Sequence, residues 1–70
     1  MKWFTLAEKM PVIDKEVLVA VNKNGGYVTV GEFMGAAEFR VLAGLGIERS
    51  TDYIDMRYIV GWAEKPDYEF

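Results

Sequence analysis

Residues 16–34, EVLVAVNKNGGYVTVGEFM, decide the fold of this 70-residue chain. Two apolar runs rich in valine flank Asn24-Gly25. This dipeptide between apolar runs is typical of a β-hairpin, because a type I′ turn needs positive φ at both central residues. A turn centred on Gly25-Gly26 is the alternative. The stretch predicts an antiparallel hairpin whose strands cover about 16–22 and 27–34.

The register that follows from a turn centred on Asn24-Gly25 gives the hairpin two different faces. Val21 then lies opposite Val28, and side chains alternate between the faces of a sheet. One face collects five valines and is assigned to the core: Val17, Val19, Val21, Val28 and Val30. The other face is mixed and collects Glu16, Leu18, Ala20, Asn22, Tyr27, Thr29, Gly31 and Phe33. We interpret the mixed face as a second small core or as an exposed patch for a partner.

The N-terminal segment carries two weaker signals. Trp3 or Phe4 is expected to pack as a lid on the hairpin. Thr5 and Glu8 have the spacing of a capping box, which predicts a single helical turn over about 6–9.

Three segments follow the hairpin. Residues 39–42 fit a short strand, whereas Ala36, Phe39, Leu42 and Ala43 have the spacing of a helix over 36–43. The flanking glycines favour the strand. Residues 47–55 predict a surface loop because they are rich in turn formers. Residues 57–63 predict a closing strand. The fold class expected from these elements is mainly β, with a β-rich α+β fold as the alternative: a small antiparallel sheet of three to four strands built on the central hairpin.

Composition limits the chemistry. The length predicts one domain, 1–70. The chain has no Cys and no His, so the usual catalytic triads and the commonest metal ligands are missing. We therefore expect no enzyme, no catalytic residues, no cofactor and no metal. Asp52 and Asp55 with Glu48 are interpreted as a solvated acidic loop rather than a cation site. The net charge of −3 makes direct nucleic-acid binding unlikely. No apolar run approaches membrane-spanning length, so a cytoplasmic protein is expected.

Short motifs along nearly the whole chain suggest a relationship. They are Trp3, Met10-Pro11, Val17-Leu18-Val19, Gly31-Glu32-Phe33 and the segment VGWAEKP at 60–66. In these motifs the chain resembles the domain-of-unknown-function 551 family, small proteins common in bacteriophages and prophages. Two departures are Gly61, where the family often has His, and a tail in which only Pro66 remains of a proline-rich end. The resemblance implies a fold and a phage setting in a bacterial host cell, but no reaction.

The function expected from these observations is binding without catalysis. The specific hypothesis is a phage or prophage accessory factor that inhibits or sequesters a host component, for example one of antiviral defence. The alternatives are a self-assembling structural protein and a sponge for a nucleotide signal. The partner would be a host protein, a small nucleotide or, in an oligomer, a second copy. The predicted contact residues are Leu18, Tyr27, Thr29, Phe33, Arg49 and Arg57.

Overall fold

Six strands form one antiparallel sheet in the computed structural model, which describes residues 1–43 and 50–66. The strands are β1 (Trp3–Phe4), β2 (Glu16–Val21), β3 (Tyr27–Phe33), β4 (Glu38–Ala43), β5 (Ser50–Asp55) and β6 (Ile59–Glu64). Their order across the sheet is β1-β6-β2-β3-β4-β5. The mainly β class predicted from the sequence is confirmed, with six strands in place of three to four.

The closing strand lies inside the sheet. β6 was expected at about 57–63 and is observed at Ile59–Glu64, after a short 3₁₀ turn at Met56–Tyr58. It pairs with β2 on one side and with β1 on the other. The strand nearest the C-terminus among those described is therefore hydrogen-bonded between the two nearest the N-terminus.

The hairpin turn has the predicted centre. Gly26 N–H donates to Lys23 O across 3.1 Å, and Asn24 and Gly25 have φ of 52° and 90°. The ladder beyond the turn begins with Val21 opposite Tyr27, however, and not with Val21 opposite Val28.

One extra residue causes this shift in register. Between the turn at 23–26 and the first ladder pair, the chain has one residue on the β2 side and none on the β3 side. That residue is Asn22, whose N–H donates instead to Tyr58 O, 2.7 Å away. Gly26 adopts a φ of 87° on the opposite side, a conformation that glycine adopts at little cost and that often accompanies an extra residue in a ladder.

The shift corrects the predicted faces of β3, because a slip of one residue turns every side chain to the other side. Val17, Val19 and Val21 are buried as expected. Val28 and Val30 lie on the opposite side of the sheet, and Val28 is 61% exposed. The prediction that five valines share one dry face is therefore wrong for two of them. Tyr27, Thr29, Gly31 and Phe33 take the places opposite and beside the buried valines of β2.

Gly31 fits this inner position because it has no side chain. A Cβ at Gly31 would lie 2.9 Å from Val41 Cγ1 and 3.2 Å from Val19 Cγ2. These distances are shorter than van der Waals contact, so methyl groups of Val19 and Val41 occupy the space that a side chain at position 31 would need.

The core is a single apolar cluster on the inner side of the sheet. Aromatic pairs strengthen it at both ends: the rings of Phe4 and Trp62, and those of Phe33 and Phe39, have centroids 5.1 Å apart. Such tilted ring pairs are favourable beyond the area that they bury. The buried members are Val17, Val19, Val21, Phe39, Val41, Ile54, Ile59 and Trp62.

The N-terminal segment is fixed by a capping box and by Trp62. Glu8 Oε1 accepts from Thr5 N–H at 3.0 Å, and Thr5 Oγ1 accepts from Glu8 N–H at 3.2 Å, which confirms the predicted turn. Lys9 O accepts from Trp62 Nε1–H at 2.7 Å. Trp3 and Phe4 form β1 against β6 rather than a lid on the hairpin, which corrects that expectation.

The second half of the chain gives one confirmation and one correction. The strand favoured at 39–42 is observed as β4. The loop predicted at 47–55 is wrong for 50–55, which form β5 because Ile54 is buried opposite Phe39. Polar residues are tolerated there because β5 is an edge strand. Positions 47–49 of that prediction lie outside the described residues. In the ranges 1–43 and 50–66, no helix has the length and apolar character that crossing a bilayer requires.

Candidate functional site

The side of the sheet opposite the core carries a broad group of apolar residues, which we name the outer apolar face. The strand pairing places Trp3 beside Ala63, Ala63 beside Leu18, and Leu18 beside Val30. This row runs across four neighbouring strands. Three large members are well exposed: Trp3 at 41%, Tyr53 at 56% and Val28 at 61%. The outer apolar face consists of Trp3, Leu18, Ala20, Val28, Val30, Leu42 and Tyr53, and Ala63 is buried within it.

Trp3 packs beside two small residues of β6, Gly61 and Ala63. A Cβ at Gly61 would lie 4.0 Å from Trp3 Cε3 and 2.9 Å from Phe4 O. Ala63, the residue paired with Trp3, is fully buried. The indole therefore extends the apolar surface while it shields β6. A large side chain at Gly61 would displace β1.

Ion pairs form the border of the outer apolar face. Glu16 and Glu32 lie directly opposite each other on β2 and β3, an arrangement that is unfavourable for like charges. Each carboxylate has its own cation. Arg40 Nη2 lies 2.9 Å from Glu32 Oε1, and Lys65 binds Glu16. The hydrogen bond to Glu32 raises the pKa of Arg40. At Glu16 and Glu32 the charges of the border are therefore paired within the chain.

A small concavity opens where β3 and β4 separate. Their ladder begins at Phe33 opposite Phe39 and ends at Gly31 opposite Val41. Beyond that point, Thr29 Oγ1–H donates to Leu42 O at 2.8 Å, so a side chain replaces the missing backbone bond. The concavity is lined by Glu16, Val30, Gly31, Glu32, Arg40, Val41, Leu42 and Thr51.

The structure does not bring the predicted contact residues together. Leu18 lies on the outer apolar face, whereas Tyr27, Thr29 and Phe33 lie on the inner side with the β2 valines. Tyr27 and Phe33 are half-buried and pack against the core. The four predicted contact residues of the hairpin were expected on one face. The extra residue, Asn22, shifts the register, so they lie on both sides of the sheet.

The two predicted arginines have different outcomes. Arg57 lies in the 3₁₀ turn, where its guanidinium is 3.3 Å from Asp55 Oδ2 and its side chain is 72% exposed. Asp55 also accepts from Arg57 N–H at 2.9 Å, and this bond lowers the pKa of Asp55. Arg49 lies outside the described residues, so its role as a contact residue beside Arg57 stays a prediction.

The acidic residues considered as cation ligands bind local backbone instead. Asp52 Oδ1 accepts from Tyr53 N–H at 3.1 Å, and Asp55 caps the 3₁₀ turn. Glu48 lies outside the described residues. In the part of the chain that the structure covers, no group of three His, Cys, Asp or Glu side chains could hold a metal ion.

The sequence reasoning missed Trp3, Val28, Val30, Leu42 and Tyr53 as members of an exposed apolar face. The available signal was the second glycine in Asn24-Gly25-Gly26. A further residue with positive φ after a type I′ turn indicates that the ladder does not continue in simple register. The alternation of Tyr27, Gly31 and Phe33 along β3 then matches the buried side, with glycine at the most crowded position.

Comparisons with protein-family models, with curated proteins and with solved structures found no match. The resemblance to the domain-of-unknown-function 551 family therefore stays a prediction from the sequence.

Proposed function

We propose that this chain is a small binding domain that engages a partner protein through the outer apolar face. The observation that carries the proposal is the exposure of Trp3, Val28 and Tyr53 on one side of a sheet whose other side is the core. Single exposed apolar residues are ordinary, but several large apolar residues exposed on one side of a sheet are typical of an interaction surface. Tryptophan and tyrosine are also the residues most enriched among interface hot spots.

The electrostatics of this face favour a protein over a nucleic acid. The border charges of Glu16 and Glu32 are already paired within the chain, and the net charge of the chain is −3. A nucleic-acid surface needs clustered positive charge to release counterions. An apolar face whose border charges are paired fits the core and rim of a protein–protein interface.

In its finer form, the proposal places this binding domain in the phage setting that the family resemblance implies. The chain would be a phage or prophage accessory factor in the host cytoplasm that inhibits or sequesters a host component, with antiviral defence as one setting. The support for this form is the set of sequence motifs from Trp3 to Pro66.

The test uses two valines of matched exposure. Val28 is 61% exposed on the outer apolar face, and Val12 is 67% exposed in the segment before β2. With the tagged full chain as bait in bacterial lysate, we expect a stoichiometric protein partner that V12D retains. V28D is expected to weaken binding of that purified partner about tenfold or more, the loss typical of a hot-spot position. Equal affinity of V28D and the unmodified chain for that partner would contradict the proposal.

Self-association through the same face is the second candidate, because paired border charges allow two copies to approach. Light scattering on the purified chain distinguishes self-association from binding of a different protein. A dimer that V28D dissociates and V12D does not would identify the partner as another copy. Association through the edge of β5 is less favourable. The carboxylate of Asp52 already occupies the N–H of Tyr53, and charged groups on an edge strand oppose pairing with another strand.

A further inference from the structure

A second surface lies on the inner side of β1, away from the outer apolar face. Two lysine ammonium groups lie over one aromatic ring there: Lys2 Nζ is 5.2 Å and Lys9 Nζ is 5.0 Å from the centroid of Phe4. Lys9 Nζ is also 5.9 Å from the centroid of the Trp62 ring. The groove beside this ring, which we name the lysine groove, is lined by Met1, Lys2, Phe4, Glu64 and Pro66.

The backbone holds both lysines in place. Trp62 Nε1–H donates to Lys9 O at 2.7 Å, and the capping box between Thr5 and Glu8 fixes the turn before it. Lys2 precedes β1, whose pairing with β6 positions Phe4. Cation–π attraction to the ring then favours the location of both ammonium groups beside the groove.

Glu8 attracts Lys2 and Glu64 attracts Lys9, but the stronger bonds of both carboxylates go to other residues. Glu64 is bound by Lys15 at 2.8 Å, and this bond is the main cause of its lowered pKa. Glu8 is bound by Thr5. Among the described residues, neither Lys2 nor Lys9 forms an ion pair within 4.0 Å. Within the ranges 1–43 and 50–66, the groove therefore offers two lysine ammonium groups without a direct carboxylate partner.

We propose that the lysine groove binds a small organic phosphate that carries a flat apolar group, the chemical class to which mononucleotides belong. Lys2 and Lys9 bind the phosphate as flexible, strongly charged donors. Met1, Phe4 and Pro66 contact the flat group, since aromatic and apolar side chains pack against any base regardless of its identity. This site is independent of the outer apolar face and of the partner protein proposed for it.

The experiment is a titration of the full chain with AMP, followed by amide and indole N–H chemical shifts. We expect saturable shifts in residues 2–9 and 62–66, including the Trp62 indole N–H, whose acceptor is Lys9 O. Inorganic phosphate and adenosine test the two halves of the ligand separately. Each is expected to bind at least tenfold more weakly than AMP. The double variant K2Q/K9Q is expected to weaken AMP binding about tenfold or more.

A matched control exists at the other end of the sheet. Lys23 Nζ and the guanidinium of Arg57 lie 5.5 Å and 5.7 Å from the centroid of Tyr58, so K23Q/R57Q also removes two cations from one ring. This control should bind AMP as the unmodified chain does. The proposal is overturned if AMP produces no saturable shift, if K2Q/K9Q binds normally, if K23Q/R57Q loses as much affinity, or if phosphate alone binds as well as AMP.

Discussion

The two sides of the β2–β3 hairpin have similar compositions and different environments. Val19 on the inner side is fully buried, whereas Val28 on the outer side is 61% exposed. Both are β-branched and both lie within a strand. Their difference comes from the packing on each side: the inner side meets Phe39, Ile54 and other core residues, whereas Val28 on the outer side stays largely open to solvent.

This comparison shows that hydrophobicity alone does not decide which side of a strand becomes the core. The inner side of β3 includes Tyr27, Thr29 and Gly31, which are less apolar than Val28 and Val30 on the outer side. These residues of β3 face the core because Gly31 has no side chain. Methyl groups of Val19 and Val41 lie where a side chain at position 31 would have to be. Shape and register therefore outweigh the valine count.

The largest difference between the sides is expected at the aromatic residues of β4 and β5. Phe39 is fully buried against Phe33 and Ile54, so Phe39→Ala should lower the free energy of unfolding by about 3–5 kcal/mol. Tyr53 is 56% exposed on the outer side, so Tyr53→Ala should cost about 1 kcal/mol or less. Urea unfolding followed by tryptophan fluorescence measures both. Similar losses in the two variants would show that the outer side is also a core.

The valines give a sharper test of the register itself. Val19→Ala should destabilise the fold by about 2 kcal/mol, because a fully buried valine loses two methyl groups. Val28→Ala should change stability by about 0.5 kcal/mol or less, as expected for an exposed site. Thermal or urea unfolding of the pair is the measurement. Equal destabilisation would support the pairing of Val21 with Val28 and contradict the observed ladder.

The smallest expected effect concerns pH and the exposed borders of both sides. Hydrogen bonds from Thr5 lower the pKa of Glu8, the bond from Arg57 N–H lowers that of Asp55, and the bond from Lys15 lowers that of Glu64. A carboxyl group whose pKa is lower in the folded chain than in the unfolded chain stabilises the fold when the pH is above the pKa of the unfolded chain. That stabilisation is lost as the pH falls through the folded value.

We therefore expect a constant contribution from these groups between pH 7 and 5, and a decline below about pH 4. The urea midpoint measured from pH 6 to 3 tests this. Glu8→Gln preserves the capping geometry and should reduce the decline. Glu38→Gln is the control, because Glu38 has no ion pair in the described part of the chain. A steeper decline in Glu8→Gln than in the unmodified chain would contradict the assignment.

Much of the fold could be predicted from local sequence signals. Asn24-Gly25 specifies the turn, Thr5 and Glu8 specify the capping box, and the runs at β2, β4 and β6 have strand composition. β5 was missed because its residues favour turns and only Ile54 is buried. The two-residue β1 was missed because it forms solely by pairing with β6, a long-range contact that no local pattern encodes.

The location of the exposed surface was harder to predict than the fold. It depends on a single extra residue, Asn22, whose N–H binds Tyr58 O in a distant turn. The sequence around Asn22 does not indicate that partner. The lysine groove has the same origin, because Lys2, Lys9 and Trp62 meet only after β6 has paired with β1. Sites assembled by non-local pairing are therefore the part that sequence patterns do not specify.

The place of β6 between β1 and β2 has a consequence for synthesis on the ribosome. β2, β3, β4 and β5 are consecutive neighbours, so they can pair in the order in which they emerge. β1 must wait for residues 59–64 before it has a partner, and until then the edge of β2 and the ring of Phe4 are exposed to solvent. Completion of the sheet is thus expected as a late event of translation, and a nascent chain cut before residue 59 would leave the first strand unpaired.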